Sequence, residues 1–172
     1  MSSPLFESPN LIVSEFSVTD SSFIFELLNT AAWKKFIGDR NINSIEDAAN
    51  YIHTAPLASY AKYGYGGWKI SMKRTGEPIG MVGLFRRDYL DGPDLGFALL
   101  PGFEGKGFAY ESSLATLNYV NETYNIQKLY ATTVEINPRS QRLLARLGFV
   151  ASGNISPPGT DLNLLLYTLD VK

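Results

Sequence analysis

DLGFALLPGFEGKGFAYES, residues 94–112, begins as an apolar run and ends as the opening of a helix. Leu95-Gly96-Phe97-Ala98-Leu99-Leu100 reads as a strand that Pro101-Gly102 ends abruptly. The loop Phe103-Glu104-Gly105-Lys106-Gly107 then leads into a helical pattern from Phe108 onward. A strand that feeds a glycine loop at a helix start is the usual build of an anion cradle. The first N–H groups of the helix have no backbone partner, and its dipole end is positive. Gly105 and Gly107 remove side chains where the backbone must approach a phosphate, and they permit positive φ. A phosphate-bearing ligand over the 105–110 amides, with Lys106 nearby as a point charge, is the expectation.

Two common nucleotide fingerprints do not fit this loop. A Walker loop needs Ser or Thr after Gly-Lys, and Gly107 stands there. A dinucleotide fingerprint starting at Gly105 needs a third glycine where the chain has Tyr110. Glu104-Gly105-Lys106-Gly107-Phe108-Ala109 instead resembles the pyrophosphate loop Gln/Arg-x-x-Gly-x-Gly/Ala of the GNAT superfamily of N-acetyltransferases, with Glu104 where Gln or Arg is usual. The wider wording resembles the ribosomal-protein (Rim-type) branch, in which a Trp often takes the place of Glu104. Taken alone, the loop is equally an ordinary glycine-rich strand-to-helix turn.

Working outward, Trp68–Lys73 alternates apolar and polar residues, and Arg74–Pro78 turns the chain back into Ile79–Phe85. That is a hairpin, and Leu95–Leu100 extends it into an antiparallel meander. Downstream, Phe108 to about Tyr124 reads as a helix with Tyr110, Leu114 and Leu117 on one stripe. Lys128–Val134 is β-rich and, after a helical crossover, should pair parallel to the third strand of the meander. Asn137 caps a further helix with Pro138 in its first turn, and Leu162–Leu169 is the last strand. Upstream, Leu11–Phe16 is a strand and Thr19-Asp20 caps a helix over Ser21–Thr30. Trp33–Ile37 extends helically to Gly38, and Ser44 starts a helix toward Ala55, which Pro56 either ends or carries into another turn. His53 on this helix reads as a solvated or partly buried side chain. Tyr60, Tyr63 and Tyr65 crowd Gly64–Gly67 as packing or as the floor of a substrate pocket, while Trp68 reads as packing.

Asn137-Pro138-Arg139-Ser140, followed by Leu143-Leu144-Ala145-Arg146-Leu147-Gly148-Phe149, is similar to a second GNAT segment, Asn-x-x-Ser…Leu-x-x-x-Gly-Phe. It begins 32 residues after Gly105, the interval that one helix and one strand require. The resemblance covers Leu11 to about Gly153. It implies an α/β (α+β) fold: one domain over residues 1–172, with a mixed, mostly antiparallel sheet and helices on both faces. It also implies a V-shaped splay between the two parallel middle strands.

Composition bounds the function. Apolar residues at 45% and charged residues at 19% describe an ordinary globular chain of 172 residues. A net charge of −2 argues against a nucleic-acid surface, and no apolar run is long enough to span a bilayer. Zero cysteines exclude disulfides, thiolate catalysis and Cys-type zinc sites, and a single histidine excludes His-rich metal sites. The expectation is a cytoplasmic protein without a metal, acting as a monomer or homodimer.

The resemblance implies acetyl-CoA as co-substrate and a primary amine as acceptor, most simply a protein or peptide N-terminus. A small amine (an amino acid, polyamine or drug) is the alternative, and a non-catalytic acyl-CoA-binding module a third. The backbone of Phe97, Ala98 and Leu99 would pair with the amides of the pantetheine arm, and Asn137 would hydrogen-bond it. Glu104, Gly105, Lys106, Gly107, Phe108, Ala109 and Tyr110 would hold the pyrophosphate, with the Glu104 side chain turned to solvent. The attacking amine must be neutral, so a base is needed. Asp94 stands where the branch often carries a Glu; Glu135 is the rival. Many relatives protonate the departing thiolate with a Tyr seven residues after the Asn, a position held here by Leu144, and Ser140 is the substitute. Glu111 is expected to support its helix, and Arg139, Arg142 and Arg146 form a basic stripe that either meets the adenosine phosphates or faces solvent, solvent being the expectation. Acceptor determinants are expected in the Trp33–Tyr65 helices and the Arg86–Pro93 connection.

Overall fold

A computed structural model describes residues 3–171. One eight-stranded sheet runs through it, with strands in the order β1-β2-β3-β4-β5-β6-β8-β7. These are β1 (Pro4–Glu7), β2 (Leu11–Ser14), β3 (Gly67–Met72), β4 (Pro78–Phe85), β5 (Asp94–Leu99), β6 (Lys128–Thr133), β7 (Val150–Ile155) and β8 (Leu164–Asp170). Every neighbouring pair is antiparallel except β5 and β6, which are parallel. The helices are α1 (Ser21–Leu28), α2 (Ala31–Phe36), α3 (Ile45–Ile52), α4 (Ala58–Tyr63), α5 (Phe108–Thr123) and α6 (Pro138–Arg146).

The sheet has a core on each face, and β4 shows how one strand serves both. Between Ile70 and Ser71 the β3–β4 register shifts, because Ile79 is an extra residue on β4. Beyond that bulge, Val82 and Leu84 pack with Trp68, Leu95, Leu99 and Val120 under α5 and α6. Met81 points the other way, into the cluster that α1–α3 build from Phe23, Ile24, Leu27, Trp33 and Ile52. On the α5 side Phe6 stacks on Tyr119 at 4.5 Å, and Tyr119 meets Trp68 edge-on at 5.7 Å. Each such pair adds about 0.5–1.5 kcal/mol beyond the area it buries.

The meander, the crossover and the helix caps follow the sequence reading, and three features depart from it. Edge strands β1 and β7 had no signal: β1 is four residues long, and almost all of β7 is exposed, so neither carries an apolar alternation. Helix α2 is separate from α1, with the Thr30 hydroxyl accepting from Trp33 N–H as its own cap. Pro56 takes the second of its two expected outcomes and carries the chain on: it sits inside a π turn, His53–Leu57, that joins α3 to α4, a wider turn that tolerates the missing N–H. His53 is exposed there. The face that α5 buries consists of Ser112, Ser113, Thr116 and Val120, while Leu114 is exposed. Small residues let α5 lie close over β4 and β5, and the apolar stripe falls on its flank.

Two side chains tie distant segments. The Tyr60 hydroxyl donates to the Gly67 carbonyl and accepts from Phe16 N–H, which settles this tyrosine as packing at the start of β3. The Glu111 carboxylate accepts from the Ser8 hydroxyl at 2.6 Å and from the Asn10 N–H at 2.7 Å, holding the β1–β2 turn against the start of α5. Burial alone would raise its pKa, but these bonds reverse the shift and hold it below the usual carboxylate range.

Candidate active site

The site begins where two strands stop pairing. β5 is paired to β4 along its whole length, from Phe85↔Asp94 to Gly80↔Leu99. Its pairing to β6 consists of Asp94↔Tyr130, beside a bond from Tyr130 N–H to the Pro93 carbonyl. Past that vertex the strands part, so the β5 groups turned away from β4 have no strand partner. A cleft of about 1250 Å³ opens there. Leu95–Leu99 form one wall, Thr132, Thr133 and Val134 the other, and Phe97 and Ala98 are half-buried within it.

At the wide end of the V stands the glycine loop. Gly105 and Gly107 take φ of +73° and +86°, in the left-handed region. Gly107 is the N-cap of the 16-residue α5, and no side chain caps that end. The first-turn N–H groups of α5 therefore face outward unclaimed by a side chain, the arrangement that binds a phosphate. Glu104, Gly105, Gly107, Ala109 and Tyr110 line the cleft. Lys106 and Phe108 do not: the Lys106 ammonium rests 5.7 Å from the Phe103 ring centroid, and Phe108 packs against the same ring.

One expectation about this end is corrected. Glu104 does not project freely into solvent; it is half-buried and pairs with Arg139 at 3.4 Å. Arg139, Arg142 and Arg146 are exposed, and all three also line the cleft. The Arg146 guanidinium lies 3.8 Å over the Tyr110 ring, so α6 is clamped to α5 beside the loop. On α6 itself, the Asn137 side chain accepts from Ser140 N–H at 3.3 Å, and both residues line the cleft. Leu144 lines it too, but is buried and offers no proton.

At the narrow end stands Asp94. By register it shares a sheet face with Phe85, Gly96, Met81 and Ala98, the face that α1–α3 cover. It is 4% exposed, so this carboxylate is not a solvated surface group. Burial drives its pKa up to about 6, against the opposing pull of the Arg87 guanidinium beside it. Arg87 Nε is 3.4 Å from Asp94 Oδ1, an ion pair without hydrogen-bond geometry, and that oxygen is otherwise unpartnered. Glu135 lies exposed in the turn after β6, away from the cleft lining.

Residues without a motif complete this end. Tyr51, Arg87 and Tyr89 line the cleft with Asp94. Burial raises both tyrosines, and Arg40 and Arg87 pull both back. Their only sequence signal was position, since they fall in the Trp33–Tyr65 and Arg86–Pro93 segments. Among the described residues no group of His, Asp and Glu could hold a metal ion, and no helix is long and apolar enough to cross a membrane.

Comparison with known proteins agrees with this geometry. The family model described as "Acetyltransferase (GNAT) domain" matches residues 10–150. An uncharacterized N-acetyltransferase, YoaA of Bacillus subtilis, is 27% identical over 156 residues, covering 87% of this chain and 85% of its own. The ribosomal protein uS5 alanine N-acetyltransferase of Escherichia coli is 37% identical over 59 residues, 34% of this chain and 30% of its own. Among solved structures, RimL, a ribosomal L7/L12 α-N-protein acetyltransferase bound to coenzyme A, superposes with a TM-score of 0.84 at 15% identity, covering 98% of both chains.

Proposed function

Because this chain belongs to the GNAT family of acetyl-CoA-dependent N-acetyltransferases, we propose that it acetylates the N-terminal amine of a protein or peptide in a ternary complex. All of residues 1–172 would act as one domain, in the cytoplasm. The observation that carries the reading is the one-residue pairing of β5 and β6 next to an uncapped helix start. An extended, amide-bearing arm with a pyrophosphate at one end has the shape of that V: free strand edge along its length, phosphate cradle at its mouth.

The residues fit such a ligand. The first-turn amides of α5 hold the pyrophosphate, with Arg139 and Arg146 beside them. Backbone groups of Phe97, Ala98 and Leu99 take the arm, and Asn137 lies across from them. When bound, acetyl-CoA supplies an activated acetyl group as a thioester. The Asp94 carboxylate takes a proton from the incoming ammonium, so that a neutral amine reaches the vertex. A carboxylate with a pKa of about 6 is ionised at pH 7 and still basic enough for the task. As the C–N bond forms and the C–S bond breaks, the hydroxyl of Ser140, half-buried on the α6 side, would pass the proton that the nitrogen loses on to the departing sulfur. No enzyme nucleophile is needed.

The test is calorimetric titration of coenzyme A and acetyl-CoA into the wild type and Gly107→Val. At φ +86° a β-branched residue is strained, although nothing lies within 4 Å of its Cβ, so the variant perturbs the cradle and not the packing. Binding by the wild type that falls at least about tenfold in the variant supports the cradle. No binding by the wild type would retire the site assignment as a whole. Mass spectrometry of peptides and free amines incubated with acetyl-CoA then separates the N-terminal acceptor from a small amine, and absence of any product would leave an acyl-CoA-binding module.

A further inference from the structure

The cleft is charged against the sign of the molecule. The chain as a whole carries −2, yet nine of its 15 lysines and arginines line this cleft, against two of its 17 carboxylates. Those two carboxylates, Asp94 and Glu104, are each already paired, to Arg87 and Arg139. The α6 arginines lie beside the phosphate cradle and are accounted for there. The other cations are not. Lys34, Lys35 and Arg40 come from α2 and the segment after it, Lys62 from α4, and Arg86 and Arg87 from the connection after β4.

Arg87 lies too far from the cradle to serve the cofactor's phosphates. The cradle stands past the Leu99 end of β5, while Arg87 meets Asp94 at the other end of that strand. Six strand residues separate the two ends by about 16 Å. At physiological ionic strength, charges that far apart are screened from one another across about two Debye lengths. Among the described residues, Lys34, Lys35, Arg40, Lys62 and Arg86 form no salt bridge with a carboxylate of this chain. Arg40 reaches the Asp94 end of the cleft, where its charge lowers the pKa of Tyr51 and of Tyr89. Lys34, Lys35 and Lys62 are exposed at the rim. Positive charge therefore stands at the vertex end, on Arg40 and Arg87, and at the exposed rim of the cleft, on the three lysines.

We propose that the acceptor is an amine followed closely by carboxylates, specifically a peptide N-terminus whose next few residues are Asp or Glu. The inference rests on the acetyltransferase reading and names its substrate class. Near the vertex, Asp94 receives the ammonium while Arg40 and Arg87 face carboxylates just behind it. Farther out, the rim lysines meet later acidic side chains, a spread that a free amino acid is too short to use. A polyamine, positive along its whole length, meets like charge at every step after Asp94.

The experiment compares kcat/KM, and equilibrium binding to the coenzyme A-loaded protein, for matched decapeptides whose residues 2–5 are all Glu, all Gln or all Lys. Free aspartate, free glutamate and spermidine are run beside them. The Glu peptide should exceed the Gln peptide by about tenfold or more at low salt and lose that lead as salt is added, and the Lys peptide should be poorest. In Lys34→Gln/Lys35→Gln/Arg40→Gln the Glu peptide should fall toward the Gln peptide, while coenzyme A binding is retained. Equal binding and turnover of Glu and Gln peptides would overturn the inference, as would preference for the Lys peptide, spermidine or a free amino acid. Failure of the protein to bind acetyl-CoA at all is a different result, and it strikes the acetyltransferase reading beneath.

Discussion

Asp94 illustrates the tension between stability and chemistry at a single residue. Its neighbours on the sheet face are Phe85, Gly96 and Met81, and the cation beside it is Arg87. Burying the carboxylate raises its pKa from the ordinary 3.8 to about 6, with burial as the larger cause and Arg87 only partly offsetting it. In the unfolded chain the group loses its proton near pH 4, whereas in the folded chain it keeps the proton until near pH 6. The folded state thus binds more protons across that window, and stability falls as pH rises through it. The deficit above pH 6 is on the order of 3 kcal/mol. Asp94→Asn should therefore lower kcat/KM by about 10²–10⁴-fold through loss of the base. The same change should raise stability toward denaturant at pH 8, with the gain disappearing at pH 4. Wild-type kcat/KM should fall as pH drops below about 6. An Asn variant that is fully active, or no more stable at pH 8 than at pH 4 relative to wild type, would count against the role and the energetics respectively.

At the scale of elements, helix α5 shows what the sequence could and could not disclose. Its limits, its glycine cap and its place in the crossover were legible, because Gly105, Gly107 and the 32-residue interval to Asn137 are local and periodic signals. The face it buries was not legible. Periodicity ranks apolar residues, and here the requirement is a short distance between helix and sheet, which Ser112, Ser113 and Thr116 meet and Leu114 cannot. Arg87, likewise, becomes a site residue only because β4 and β5 pair and bring it beside Asp94. The exposed β7 pairs with β8 through backbone groups that leave no mark on side-chain pattern. The buried α5 face also yields a testable consequence. Thr116 gives its hydroxyl to the Ser112 carbonyl at 2.8 Å and Ser112 gives its own to Ala109, but the Ser113 hydroxyl is buried without a partner. Ser113→Ala should stabilise the protein by about 1 kcal/mol, seen as a higher denaturation midpoint at unchanged m-value. A loss of stability would mean that the hydroxyl is satisfied after all.

For the whole molecule, charge is segregated rather than merely balanced. With nine cations and two already-paired carboxylates around the cleft, the remaining acidic residues lie elsewhere on the surface. Such a molecule presents a positive concavity on a mildly negative body, and a cleft of that kind focuses its field on entering anions. The thioester co-substrate carries several phosphate charges, so its capture should be steered and its hold at the mouth of the V partly coulombic. With Asp94 as the proposed base, the reacting atoms would lie about a strand length from the cradle, and bulk salt would reach that step weakly. Raising salt from about 0.05 M to about 0.5 M shortens the screening length roughly threefold. KM for acetyl-CoA should then rise several-fold while kcat changes by less than about twofold, and replacing Arg139 and Arg146 with Gln should flatten that dependence. Steady-state kinetics across a salt series decides it. A KM indifferent to salt would mean that backbone amides alone hold the phosphates, and that the cations on α6 serve only to clamp the helices to one another.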